Sequence, residues 1–324
     1  LYNELSVSSE TVLPLRETNM ACKVISFINM KGGVGKTTLT KELGYHLSHV
    51  LDNKVLLIDV DPQMNLTQSL FQAFGYAPSQ DIAQRVQMEE LSDQEEGFRT
   101  KRSITVSSVS IASIFSGTIT SPATPENSIL KLDDNLSIVP GQLGIDFSLR
   151  NLNSTTLENG IYEFIKKHHL REQFDFIFID CPPTYSSYTT AALKASDAYL
   201  IPAKPEAYSI LGVDMLLKVV DSVQIENGPY FEPERLKNIG IILTDMRGNS
   251  SVGEKSLTED LRKSKLIVNS NVYFFNTQFA HNEYIKTQID YLIDRSNADK
   301  TSKPNLANLA QEFLGRIDDL WNNN

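Results

Sequence analysis

Asn29-Met30-Lys31-Gly32-Gly33-Val34-Gly35-Lys36-Thr37-Thr38 joins a short apolar run to a helical pattern. Ahead of it, Val24-Ile25-Ser26-Phe27-Ile28 reads as a buried strand. Behind it, Leu39, Leu43, Leu47 and Val50 recur on one face, which predicts a helix from Thr37 to about Val50. Strand, glycine loop and helix in this order describe a phosphate-binding loop. Gly32, Gly33 and Gly35 allow tight turns that aim backbone N–H groups inward. The positive end of the following helix points at the same spot. Gly35-Lys36-Thr37 completes the end of the pattern G-x-x-x-x-G-K-[ST], but Met30 stands where its first glycine belongs. Lys36 is expected to reach β- and γ-phosphates and the Thr37 hydroxyl to hold Mg²⁺, with Val34 and Thr38 completing the cradle. The loop also carries a second lysine, Lys31, that the pattern does not require.

The rhythm set by this stretch continues along the chain. Apolar runs recur at 54–59, 136–140, 174–180, 198–202 and 239–243, with a weaker one at Val272–Phe275. Helical patterns lie between most of them. The expected fold is therefore α/β, a mostly parallel twisted sheet with helices on both faces. In such sheets ligands bind beyond the carboxyl ends of the strands. Two runs end there on acids: Asp59, followed by Asp61 in Asp-Val-Asp-Pro-Gln, and Asp180 after Phe176-Ile177-Phe178-Ile179. A carboxylate at the end of a hydrophobic strand is what a Walker-B metal site needs. Residues 1–22 read as an N-terminal arm, and 23–324 as one nucleotide-binding domain interrupted at about 79–128. Residues 79–100 hold six acids (Asp81, Glu89, Glu90, Asp93, Glu95, Glu96) against Arg85 and Arg99, and 101–128 are rich in Ser and Thr. This insertion is expected to be a solvated surface excursion with one or two helices, or else an element that docks a partner.

Composition narrows the class. Hydrophobic content of 41% and charged content of 22% belong to an ordinary globular chain. No stretch approaches the ~20 apolar residues of a membrane span. Cys22 and Cys181 are too few for a disulfide framework and lack metal-ligand spacing, so two buried, reduced thiols in a cytoplasmic protein are expected. The net charge of -10 excludes a uniformly basic surface, so contact with nucleic acid would need a local patch.

Taken together, KGGVGKTT at 31–38, DVDPQMNLT at 59–67, the segment from Phe174 to Gly212 and IGIILTDMR at 239–247 resemble the ParA branch of the ParA/MinD deviant Walker-A ATPases. A looser match lies at NLANLAQEFL, 305–314. The resemblance runs from about residue 23 onward, omitting 79–128. It implies a P-loop ATPase that uses ATP and Mg²⁺, with Gly32 to Thr38 cradling the phosphates. It also implies a role for Lys31: two ATP-bound subunits face each other and each sends this lysine to its partner's phosphates. A cation supplied in trans acts as an arginine finger does and makes dimerisation depend on the γ-phosphate. By motif position, Asp61 orients the attacking water, Asp59 supports the metal shell, Asp180 holds Mg²⁺ through water, and Thr244 lies near the adenine.

The same resemblance implies a cytoplasmic, nucleoid-associated homodimer that binds DNA without sequence preference and segregates a plasmid or chromosome. A ParB-like centromere-binding partner stimulates hydrolysis. The match is to plasmid-type members without an N-terminal helix-turn-helix, since the residues ahead of the first strand are too few to fold one. From Arg247 to Lys303 there are nine Lys and Arg against seven acids, a balance of +2. Arg247 falls on a DNA-contacting arginine of the family. A second family arginine has no counterpart here, and Lys286 is the nearest cation. Two alternatives remain open: a ParA-like ATPase that positions a non-DNA cargo, and a membrane-associated MinD-like one. The second needs a basic amphipathic tail, whereas 306–321 carries three acids and one arginine, so a helix docked on the core through Trp321, and no membrane contact, is expected. A cluster-handling ATPase would need paired cysteines, and a vestigial scaffold would not keep Lys31, Lys36, Thr37, Asp61 and Asp180.

Overall fold

The computed structural model describes residues 21–95, 103–117, 120–145, 153–248, 251–296 and 301–322, with the backbone alone for 89–95. Of the expected arm over residues 1–22, residues 1–20 lie outside them. Among the described residues nine strands form: β1 (Lys23–Phe27), β2 (Val55–Asp59), β3 (Tyr76–Ala77), β4 (Thr105–Val106), β5 (Leu130–Lys131), β6 (Leu136–Val139), β7 (Phe176–Asp180), β8 (Ala198–Ala203) and β9 (Lys237–Leu243). Seven of them make one sheet in the order β5-β6-β2-β7-β1-β8-β9. All neighbours in it are parallel except β5, which runs antiparallel to β6.

Alternation along the strands sends side chains to two buried layers. Val24, Leu56, Ile58, Ile177 and Ile179 enter one core. There they meet Ile161 and Phe164 of helix Ser154–Lys167 and Val213 and Leu216 of helix Ser209–Glu226. Ile25, Phe27, Leu57, Phe176 and Phe178 enter the other. Helix Lys36–His49 covers that face through Leu39, Leu43 and Leu47, beside helix Ser302–Asn322 through Leu306, Leu309 and Phe313. The Phe313 ring lies 6.1 Å from Phe176 and 5.8 Å from Phe178. Burying each such side chain contributes about 1.5–3 kcal/mol, which is why both faces read as unbroken apolar strands.

The expected tail helix is docked, with the Lys23 and Lys237 ammonium groups 4.4 and 4.7 Å from the Trp321 ring centre. Among the described residues no helix is long and apolar enough to cross a membrane. Cys22 and Cys181 are buried free thiols, as expected.

Two expectations need correction. Val272–Phe275 is not a strand: it touches β9 through a single parallel bridge, Ile241 to Phe274. The insertion is a surface excursion only in part. Helix Gln80–Glu95 fits that reading, and 96–102 lie outside the described residues. From Ile111 the chain returns to the core: Ile111, Ile114 and Phe115 are buried, and the Phe115 ring lies 5.6 Å from Tyr188. Helix Ala112–Ser116, which carries two of them, is too short to show helical periodicity against its Ser-rich surroundings.

Candidate nucleotide-binding site

β1 ends at the centre of the sheet, where the chain must turn sharply to start helix Lys36–His49. Gly33 and Gly35 make that turn with φ of +73° and +82°, a region costly for any residue with a Cβ. The loop is pinned from three directions. Asn29 Nδ2 donates to the Pro202 carbonyl at 2.8 Å, and its Oδ1 accepts from the Lys31 amide at 3.1 Å. The Thr244 hydroxyl donates to the Val34 carbonyl at 2.7 Å. Thr244 therefore fastens the end of β9 to the loop.

The loop borders a cavity of about 630 Å³ at the carboxyl edge of the sheet. Gly32 to Thr38, Asp61 and Thr244 all line it, so most of the sequence-derived site converges on one place. Lys36 is buried, and its Nζ donates to the Lys31 carbonyl at 3.3 Å. Desolvation holds its pKa below the ordinary lysine value, while the Asp180 carboxylate pulls it back up. A desolvated ammonium among inward-pointing amides is a strong attractor for phosphate.

Asp59 and Asp180 sit side by side at the ends of β2 and β7, paired in register and fully buried. Their surroundings differ. Asp59 Oδ2 accepts from the Thr67 amide at 2.9 Å and from its hydroxyl at 2.7 Å, and Oδ1 accepts from the Asp61 amide at 3.2 Å. Thr67 Oγ1 in turn accepts from the Gly141 amide at 2.7 Å. Asp59 thus ties the start of helix Asn65–Phe74 to the loop after β6. Asp180 has no such anchors: among the described residues, both oxygens are buried without a hydrogen-bond partner. The Thr37 hydroxyl faces this carboxylate closely enough to lower its pKa without completing a bond of ordinary geometry. Burial raises the Asp180 pKa well above the carboxylate range, and neighbouring Asp59 raises it further. Burial likewise lifts Asp59 to about 7, against the pull of the Thr67 hydrogen bonds. An orphaned buried carboxylate beside a hydroxyl fits a hydrated divalent cation.

Lys31, at the edge of the loop, is a quarter exposed and paired within its own chain to Glu206. Asp61 is buried, with Oδ1 accepting from the Gln63 amide at 3.0 Å. Lys286, read from the sequence as a DNA contact, lines the nucleotide cavity and lies 3.1 Å from Asp245. Arg247 is exposed on the loop after β9. The sequence reading missed Lys41, Lys204, Asp245 and Asn282 in the cavity wall. Only Lys204 and Asp245 carried a usable signal, being charged residues just past the carboxyl ends of β8 and β9.

The family profile described as an AAA domain matches residues 22–232, more than half of the 324-residue chain. The chain is 28% identical to the sporulation initiation inhibitor protein Soj of Bacillus subtilis, over 73% of this chain and 78% of that one. It is 27% identical to the chromosome partitioning protein ParA of Caulobacter vibrioides, over 74% and 75%. Among solved structures it resembles an ATP complex of Cyanothece McdA, with a TM-score of 0.65 at 21% identity over 93% of this chain and 96% of that one. A putative plasmid partition protein of Borrelia burgdorferi bound to AMPPNP gives 0.58 at 22%, over 91% and 98%. The glycine loop, the two strand-end acids and these likenesses agree: the chain belongs to the AAA domain family, and within it is similar to ParA-type members.

Proposed function

We propose that this chain is an ATP-driven switch for DNA partition. The observation that carries the reading is the pair of lysines on one loop: Lys36 buried in the cavity wall, and Lys31 outside the cavity lining, partly exposed and paired to Glu206. Lys36 and the amides of Gly32 to Thr38 hold the phosphates of ATP. Thr37 and Asp180 hold Mg²⁺, with Asp59 behind them. The ion offsets negative charge on the phosphate oxygens when bound. Asp61 orients the attacking water. Lys31 serves the second subunit of an ATP-dependent homodimer, so that loss of the γ-phosphate loosens the dimer.

The dimer binds nucleoid DNA in the cytoplasm without sequence preference. Arg247 carries this contact. The placement of Lys286 gives it the cavity wall first. A ParB-like protein bound to a centromere stimulates hydrolysis. Contacts to phosphate alone make the DNA affinity fall steeply with salt.

DNA co-sedimentation with ATP, ADP or no nucleotide tests the reading, using the wild type, Lys36→Ala and Arg247→Ala. Binding that requires ATP and is lost in both variants is expected. Intact ATP hydrolysis without DNA binding under any condition would overturn the partition reading.

A further inference from the structure

A second cavity, of about 520 Å³, lies behind the first. Helix Asn65–Phe74 stands between them, and Ile289 borders both. Asn65 and Ser69 face the nucleotide cavity, as do Asp61 and Gln63 just ahead of the helix. Met64, Thr67, Gln68 and Phe71 face the second. The change of side begins at Met64, which takes a left-handed backbone (φ 50°) as its amide donates to the Asp61 carbonyl at 2.8 Å. The far wall comes from the insertion, through Ile82 and Val86 of helix Gln80–Glu95 and the loop after β4.

The two cavities differ in charge. Lys36, Lys41, Lys204 and Lys286, with Asp61 and Asp245, line the first. The described lining of the second contains no charged side chain: it is aliphatic and aromatic, with serine hydroxyls and glutamine amides between. Ser110 Oγ donates to Gln142 Oε1 at 2.8 Å within this wall. A charged ligand would lose its hydration there without a counter-charge. Volume and lining both match a drug-sized, uncharged molecule with few polar atoms.

We propose that this cavity binds a neutral, largely apolar small molecule, and that its occupation slows ATP turnover. The coupling is physical. Thr67 faces the cavity and also donates to Asp59, so a ligand packed on Met64, Thr67 and Phe71 holds helix Asn65–Phe74 where it stands. In that position Asp61 Oδ1 is engaged by its own loop. The effect on turnover rests on the ATPase reading above, whereas the binding does not.

Nile red, a neutral environment-sensitive dye, tests both. Its fluorescence is titrated against wild type, Val86→Trp, which fills the cavity, and Leu143→Ser at the mouth, where Leu143 is 73% exposed and the fold tolerates change. The expected result is saturable binding of one dye per chain, weakened at least tenfold by Val86→Trp and severalfold by Leu143→Ser. Saturating ADP leaves it in place, and wild-type turnover falls over the same dye concentrations. Absence of saturable binding, equal affinity in all three proteins, or displacement by ADP would overturn the site. Binding without any change in turnover would overturn the coupling. Sedimentation of the same samples adds one arm: loss of dye binding as the chain dimerises would give the cavity to a second copy and overturn the small-molecule assignment.

Discussion

The Lys31 ammonium lies 3.1 Å from the Glu206 carboxylate of its own chain, and it also donates to the Ala207 carbonyl at 2.9 Å. Glu206 is itself paired to Lys204 at 2.6 Å, Lys204 to Asp245 at 2.9 Å, and Asp245 to Lys286 at 3.1 Å. A chain of alternating charges therefore runs from the edge of the glycine loop to the far wall of the nucleotide cavity. The Lys204 hydrogen bond, more than Lys31, holds the Glu206 pKa below the usual glutamate value, so Glu206 stays charged at neutral pH. A lysine that serves a second subunit has to leave this carboxylate first.

Glu206→Gln is accordingly expected to free Lys31. The pair is partly exposed, so its worth is at most about 1 kcal/mol, or roughly a fivefold change in an equilibrium. The ATP concentration for half-maximal dimerisation, followed by sedimentation velocity, should fall about two- to fivefold. An unchanged or higher requirement would mean that Glu206 does not hold Lys31 back.

Acid–base linkage at the paired strand ends gives a second expectation. Folded Asp59 keeps its proton to about pH 7, against an ordinary value of 3.8 in the unfolded chain. Between those values the folded state binds more protons, so raising the pH favours unfolding. Asp180 is shifted in the same direction. Without nucleotide, the melting temperature should fall as pH rises from 5 to 7. Asp59→Asn keeps an acceptor for Thr67 and should flatten that fall. Parallel profiles for the two proteins would remove Asp59 as the cause.

The Asp59–Thr67–Gly141 link can be cut at its middle. Thr67→Val leaves the Gly141 amide without an acceptor and deprives Asp59 of its shortest hydrogen bond. Each buried loss costs about 1–3 kcal/mol, so chemical denaturation should show at least ~2 kcal/mol of lost stability. Thr67→Ser should restore most of it. Equal losses in both variants would show that keeping the hydroxyl is not enough and would remove the hydrogen-bonded link as the cause.

Gly240 interrupts β9 with φ +143°, and a Cβ there would sit 2.6 Å from the Tyr273 carbonyl oxygen. Where the backbone suits it, Gly→Ala stabilises a protein by about 0.4–1 kcal/mol. Gly240→Ala should do the opposite, by about 2 kcal/mol, because strain at such a site costs roughly 1–3 kcal/mol. A thermal melt with unchanged midpoint would show that segment 272–275 yields easily.

Much of this was legible because each part is local. β1, its glycine loop and the helix from Lys36 are contiguous, and Asp59 and Asp180 each end an apolar run. Their meeting follows from parallel strands in register. What stayed hidden depends on distant partners. Nothing near Val272–Phe275 tells a single bridge from a strand, because Gly240, some thirty residues earlier, sets the approach. Glu206 reads as an ordinary loop acid until folding brings Lys31 to it, 175 residues away in sequence. Ile111 and Phe115 read as part of a Ser-rich excursion because the surface that buries them comes from helices much further on.

Helix Ser302–Asn322 follows every strand of the sheet and still supplies part of one core layer. During synthesis, the part of that face that Phe313 covers on Phe176 and Phe178 stays open until this helix leaves the ribosome. The helix that follows the glycine loop lies in the same layer, so the phosphate cradle completes its support only when nearly all of the described chain has emerged. A nascent chain arrested after β9 would thus present a wide aromatic surface to chaperones. Ending the chain at residue 300 should yield aggregates in a solubility assay, and not a smaller working ATPase.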